Sequence, residues 1–392
     1  MISCVRRFYV ADCVVQPADS RLHETHQPPF QRRKKMDKAK KKSAGGKFMN
    51  RNAKTIAVPE KDVRMARSRI GVEPIASQYK GMVSAADGIG RVAAEGKFVG
   101  GSYANHAGKR SYKLYIPGAF RGQALPLIVM LHGCSQDPDD FAVGTRMNTI
   151  AEENNCFVLY PAQTESANGS RCWNWFEALN QKRNLGEPSI IADMTRDIIK
   201  TCRIDTRKVF IAGLSSGGAM AAIMGTTYSE MYAAVGIHSG LPYASARNYS
   251  SALTVMMNGN GAGEQDGNAR LIVVPRRKTM PTIVFHGDRD TTVHPSNGDQ
   301  IVAQLISIAA HHGRLPEGES FPHITVGQGR VNNGRTYTHA VHRDHDGRII
   351  AEHWIVHGAG HAWSGGSSLG SFTDPRGPDA GREMLRFFLS HA

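Results

Sequence analysis

Residues Lys208 to Tyr228 read KVFIAGLSSGGAMAAIMGTTY, and the fold turns on how this stretch divides. Lys208 to Gly213 is a short apolar run, as a central strand buried on both faces requires. Gly217 to Tyr228 has the small and apolar composition of a helix. A buried strand therefore turns directly into a helix across Gly213-Leu214-Ser215-Ser216-Gly217.

The same rhythm continues outward. PLIVMLHG (Pro126 to Gly133) and CFVLYP (Cys156 to Pro161) are further apolar runs of this kind, and AAVGIHSG (Ala233 to Gly240), TIVFHGD (Thr282 to Asp288) and AEHWIVHG (Ala351 to Gly358) read as additional strands. SYKLYIP (Ser111 to Pro117) alternates as a half-buried strand does and ends at a Pro-Gly turn. Met147 to Asn154, the amphipathic stretch Ile190 to Cys202, and the closing GREMLRFFLSHA read as helices. Strand alternating with helix predicts an α/β fold, a mostly parallel sheet covered by helices on both faces. Asn258 to Leu271 and His311 to His323 read as loops.

The five residues at the junction match G-x-S-x-G, a strand-to-helix elbow that presents its central serine above the sheet. That pattern makes Ser215 the candidate nucleophile and places the backbone N–H of Ser216 where it can meet a developing oxyanion. A phosphate-cradling loop needs GxxxxGK[ST] or GxGxxG, and these glycines fit neither. A serine needs a base, and the base an orienting acid. On α/β-hydrolases the chain order is Ser, acid, His. FHGDRDTTVHP (Phe285 to Pro295) supplies Asp288 and Asp290 beyond a strand end. Asp290, further into the loop, is the candidate acid, and Asp288 is expected to shape the turn through its own backbone bonds. HGAGHAWSGG (His357 to Gly366) supplies His361 as candidate base, with His357 structural. All three lie where strands end, which is where open α/β sheets carry their sites.

A second oxyanion donor is expected after the early buried strand, in LHGCSQD (Leu131 to Asp137), with the N–H of Cys134 as the donor. CWNWF (Cys172 to Phe176) and Trp363 place three tryptophans near these loops, so Trp173, Trp175 and Trp363 are candidates for an apolar substrate wall as well as for core packing. Of six cysteines, four lie in the body of the chain with no CxxC pair, so no zinc-like spacing occurs. Cys134–Cys172 would join two active-site loops; Cys156–Cys202 is the other pairing left open.

Length and charge bound the rest. The chain has 392 residues, 41% hydrophobic and 21% charged, the composition of a globular protein. Its net charge of +14 is concentrated in residues 1–60, which hold 14 Lys and Arg against 5 Asp and Glu. Blocks such as RRKK (Arg32 to Lys35) repel and bury little, so residues 1–90 are expected to be a basic, disordered extension with one helix around Glu60 to Arg69. This tail could touch an anionic surface, nucleic acid or membrane, but its solvated reading is preferred and no nucleic-acid partner is expected. No apolar run reaches the length of a membrane span, and Arg6, Arg7 and Asp12 break the apolar start that a signal peptide would need.

Taken in order, LHGCSQD, CWNWF, GLSSGGAM, HGDRDTTVHP, GAGHAWSGG and the tail GSFTDPRGPDAGREMLRFF resemble the polyhydroxybutyrate depolymerase-type esterases of the α/β-hydrolase fold, close to feruloyl and acetylxylan esterases. The resemblance covers residues 100–392. It implies a serine esterase with Ser215, Asp290 and His361 as triad, Cys134 and Ser216 as oxyanion donors, and no metal or cofactor. Its substrates would be hydroxyalkanoate esters, their oligomers or plant-wall acyl esters. Many members are secreted, whereas this sequence carries no clear signal. A serine peptidase or acyltransferase on the same fold is the rival enzyme reading.

Overall fold

The computed structural model describes residues 95–259, 279–311 and 323–392. The expected extension over 1–90, its helix, and most of the two long loops lie outside the described residues.

Ten strands form one sheet. β1 (Lys97–Asn105) and β2 (Gly108–Ile116) make an antiparallel hairpin at one edge. β3 (Leu125–Leu131), β4 (Phe157–Pro161), β5 (Ile204–Leu214), β6 (Ala234–His238), β7 (Thr282–Gly287) and β10 (Ile349–Val356) form the parallel centre. β8 (His323–Arg330) and β9 (Thr336–Arg343) close the other edge antiparallel. The spatial order is β1-β2-β4-β3-β5-β6-β7-β10-β9-β8. From β3 the chain steps outward to β4 and then crosses back to β5 on the other side. That reversal is a topological switch point, and the ends of β3 and β5 open onto its crevice.

The helices are α1 (Pro138–Thr145), α2 (Met147–Glu153), α3 (Gly186–Thr201), α4 (Ser216–Thr227), α5 (Tyr249–Asn258), α6 (Ser296–His311) and α7 (Ala380–Leu389). They cover both faces, which explains why β3 and β4 are continuously apolar. In β3, Leu127, Val129 and Leu131 join the core formed with α3 and α4, while Ile128 and Met130 join the core formed with α1, α2 and α7. All five are fully buried, each contributing about 1.5–3 kcal/mol relative to exposure. On the second face Phe210 of β5 stacks on Phe388 of α7 with ring centroids 5.0 Å apart. Among the described residues no helix is long and apolar enough to cross a membrane.

Candidate active site

The elbow owes its shape to close approach. Ser215, between β5 and α4, has φ 57° and ψ −120°, a strained conformation for a residue with a side chain. A Cβ at Gly213 would lie 2.3 Å from the Gly217 carbonyl, and one at Gly217 would lie 2.1 Å from the Leu131 oxygen. Only glycine lets α4 start this close to β3. The Ser215 N–H donates to the His238 carbonyl at the end of β6 (2.9 Å), which pins the turn to the neighbouring strand. Ser216 opens α4, so its N–H has no partner within the helix and lies at the positive end of the helix dipole.

Asp290 and His361 are brought together: His361 Nδ1 lies 2.7 Å from Asp290 Oδ2. Oδ1 of Asp290 accepts the N–H groups of Thr292 (2.9 Å) and Val293 (2.8 Å), so the carboxylate is fixed by its own loop. A second imidazole stands behind it. His286 Nε2 donates to the Val293 carbonyl at 2.9 Å and lies 3.4 Å from Asp290 Oδ2. Burial by itself would push the Asp290 carboxyl up, but the contacts with His286, His361 and the Val293 amide outweigh it and hold the group well below the usual carboxylate range. The acid is thus a fixed anion on Nδ1, leaving Nε2 of His361 for a serine proton. The Ser215 hydroxyl makes no hydrogen bond among the described residues. Hydrogen bonds between a catalytic hydroxyl and its base often tighten only when substrate binds.

Asp288 does not brace its own turn, as the sequence suggested. Its carboxylate meets His357 Nδ1 at 2.9 Å and accepts the Gly358 N–H at 2.6 Å. This makes a second acid–imidazole pair, but His357 Nε2 is occupied by Thr338 Oγ1 at 2.9 Å. Both nitrogens are taken and the pair is well exposed, so it braces the loop that carries His361.

Cys134 and Cys172 are disulfide-bonded, joining the loop after β3 to the CWNWF loop. Cys156 and Cys202 are free and buried, which removes that alternative pairing; burial pushes each thiol up to about 12. Ser216 Oγ accepts the Trp173 N–H at 3.4 Å and lies 3.4 Å from Cys134 Sγ. A disulfide sulfur has no proton, so the hydroxyl is the donor in the latter contact. The side chain of Ser216 therefore ties the elbow to both disulfide-linked loops.

The orientation of the Cys134 N–H is set one residue earlier. The Gln163 N–H donates to His132 Nε2 (3.0 Å), so the ring proton sits on Nδ1, which donates to the Gly133 carbonyl (2.7 Å). That carbonyl and the Cys134 N–H belong to one trans peptide and point in opposite directions. Anchoring one aims the other. Burial lowers His132 to about 4, so the ring stays neutral and keeps this tautomer.

The three tryptophans lie beneath the site. Trp173, Trp175 and Trp363 are 0%, 4% and 1% exposed. Trp173 Nε1 donates to the His132 carbonyl (3.1 Å), and Trp363 stacks on His238 (5.1 Å). Their surfaces are spent on protein, so none presents a wall to a ligand in this conformation. The CWNWF loop is held by buried Glu187, which accepts the Asn174 N–H (2.8 Å) and Nδ2 (3.0 Å), Gln163 Nε2 (2.5 Å) and Arg110 Nη2 (3.3 Å).

Sequence reasoning missed three residues that shape the site: His286, His238 and Gln136. His286 and His238 lie inside the strands TIVFHGD and AAVGIHSG, where the pattern gives them no role of their own. Gln136 Oε1 accepts the Gly133 N–H (2.9 Å), while its amide nitrogen reaches the Ser371 carbonyl (3.2 Å) across 235 residues, which no local pattern reveals. No group of three or more His, Cys, Asp or Glu side chains among the described residues is arranged to hold a metal ion.

A family model described as esterase PHB depolymerase matches residues 110–313. Poly(3-hydroxyalkanoate) depolymerase C of Paucimonas lemoignei is 29% identical over 252 residues, which is 63% of this chain and 57% of that protein. The probable acetylxylan esterase A of Aspergillus fumigatus is 26% identical over 222 residues, 54% of this chain and 58% of that one. Feruloyl esterase B of Neurospora crassa is 29% identical over 180 residues, 43% of this chain and 60% of that one. The chain thus spans somewhat over half the length of these relatives. Among solved structures, an acetyl xylan esterase from Aspergillus awamori superposes with a TM-score of 0.52 at 20% identity, covering 64% of this chain and 89% of that one, a likeness of fold.

Proposed function

The chain belongs to the esterase family of PHB depolymerases, and from that premise we propose that it is a serine hydrolase of carboxylic esters working through an acyl-enzyme. His361 takes the proton of Ser215 as the hydroxyl attacks the ester carbonyl, and Asp290 holds the imidazole in the required tautomer. The N–H groups of Cys134 and Ser216 stabilise the oxyanion. His361 then gives the proton to the leaving alcohol, and water repeats the sequence to release the acid. The observation that carries this reading is the half-buried 2.7 Å contact of His361 with Asp290, on loops that follow two strands of the sheet whose β5 runs into Ser215.

The substrates proposed are hydroxyalkanoate esters and oligomers or related acyl esters, supported by relatives named as polyhydroxyalkanoate depolymerase, acetylxylan esterase and feruloyl esterase. The catalytic domain is assigned to residues 100–392, with 1–90 as a basic extension. An oxidising, extracellular setting fits the Cys134–Cys172 bond. Hydrolysis of nitrophenyl esters, hydroxybutyrate oligomers, feruloyl esters and acetylated xylan tests the activity and ranks the substrates. Ser215→Ala is expected to reduce ester turnover by several powers of ten. Full activity in that variant, with Ser216 intact, would overturn the assignment.

A further inference from the structure

Phe372 is an aromatic side chain set against His361 and open to solvent. Its ring meets the His361 imidazole edge to face, with centroids 6.4 Å apart. It is 45% exposed, in contrast to the buried tryptophans, and Leu369 three residues earlier is 86% exposed. Leaving a large apolar ring in water forgoes stabilisation that burial would supply.

The backbone beneath it is costly as well. Phe372 has φ 50°, in the left-handed region where a bulky side chain is an outlier. Such a conformation persists only where the surroundings over-determine it. Here the Phe372 carbonyl accepts the Trp363 N–H (2.7 Å), and the preceding Ser371 is held by Asp140 through its N–H (2.8 Å) and hydroxyl (2.5 Å). Gln136 grips Ser371 while also accepting the Gly133 N–H, so the segment that presents Phe372 is tied to the candidate oxyanion loop.

We infer that Phe372 contacts the alcohol portion of the ester and determines selectivity for a flat, apolar or aryl alcohol. The inference rests on the reading of His361 as the base. In that mechanism His361 returns its proton to the leaving alkoxide, so the alcohol is bound beside the imidazole and the acyl group lies away from it. An exposed aromatic ring packed on the same imidazole faces the departing group.

Two ester series test this. One keeps the acetyl group and varies the alcohol: methyl, phenyl and 2-naphthyl acetate. The other keeps phenol and varies the acyl chain: acetyl, butyryl and hexanoyl. Phe372→Gly removes the ring with a residue that tolerates the backbone conformation, so the variant is expected to fold, and a thermal melt checks it. It should raise KM for naphthyl acetate roughly 3- to 10-fold, the worth of one aromatic contact, and leave methyl acetate within about twofold. Relative rates along the acyl series should be unchanged, and Phe372→Tyr should restore the aryl preference. A uniform loss across all alcohols, an unchanged selectivity, or a shift in the acyl series would each overturn the inference. Ser215→Ala run in parallel separates the two readings. If it abolishes turnover while Phe372→Gly leaves alcohol selectivity untouched, only the role of Phe372 falls; if it retains turnover, the triad reading falls.

Discussion

Asp288 and Asp290 are two residues apart, and each meets an imidazole, yet only one pair can work on a serine. His357 has both nitrogens committed, to Asp288 and Thr338. His361 has one committed, to a fully buried carboxylate. At this scale His286 is the positioning residue to change, since it holds Val293 and thereby the loop that cages Asp290. His286→Leu is expected to lower kcat roughly 10- to 100-fold with KM little altered, as a displaced catalytic group does. His286→Gln, whose amide N–H can reach the same carbonyl, should recover part of that loss. Steady-state kinetics on one soluble ester, with melts to verify folding, decide the matter. Equal losses in kcat for Leu and Gln, with unchanged melts, would contradict the role.

Between elements, the decisive link is the disulfide. It closes a sequence separation of 38 residues between the loop after β3 and the CWNWF loop, and Ser216 on α4 touches both. Closing a loop of that length constrains the unfolded chain by up to about 4 kcal/mol in the chain-entropy account. Reduction should therefore lower the denaturant midpoint measurably. It should also depress activity under conditions where the protein stays folded, because Cys134 carries a candidate oxyanion N–H. An enzyme equally active after verified reduction of Cys134–Cys172 would show that the loop keeps its shape through His132, Gln136 and Glu187 alone.

The whole molecule carries a pH dependence in its buried histidines. Burial lowers His132 to about 4, and both His238 and His353 to about 3, from the ordinary 6.5. An unfolded chain protonates these rings as pH falls through about 6.5, while the folded chain does not until about 4 or below. Their stabilising contribution is therefore full above that range and is lost as pH falls through it. Unfolding should take up about three protons near pH 5, so the melting temperature should drop between pH 7 and 4. Asp290 extends the trend, since a carboxyl held below its usual range loses its contribution only under more acidic conditions. Glu187, raised by burial, acts in the opposite sense. A melting temperature flat from pH 7 to 4 would contradict this account.

Periodicity and punctuation identified much of this protein. Continuous apolar runs mark β3, β4 and β5, because a strand covered on both faces has no polar side; β6, β7 and β10, which include His238, His286, Glu352 and His353, read as further strands in the same rhythm. The glycines of the elbow marked Ser215, because only they permit the approach of α4 to β3. Chain order and loop position then picked out Asp290 and His361. β1, α1, α5, α6, β8 and β9 are not read from the sequence; α5 is largely exposed on one side, and β8 and β9 form an edge with little burial. The tertiary structure alone decided which cysteines pair, that the tryptophans are buried, that His286 stands behind Asp290, that Gln136 bonds the loop after β3, and that Phe372 packs on His361. Those facts depend on contacts between residues tens to hundreds of positions apart. The period of a strand or helix fixes which face a residue occupies, but folding determines what that face meets.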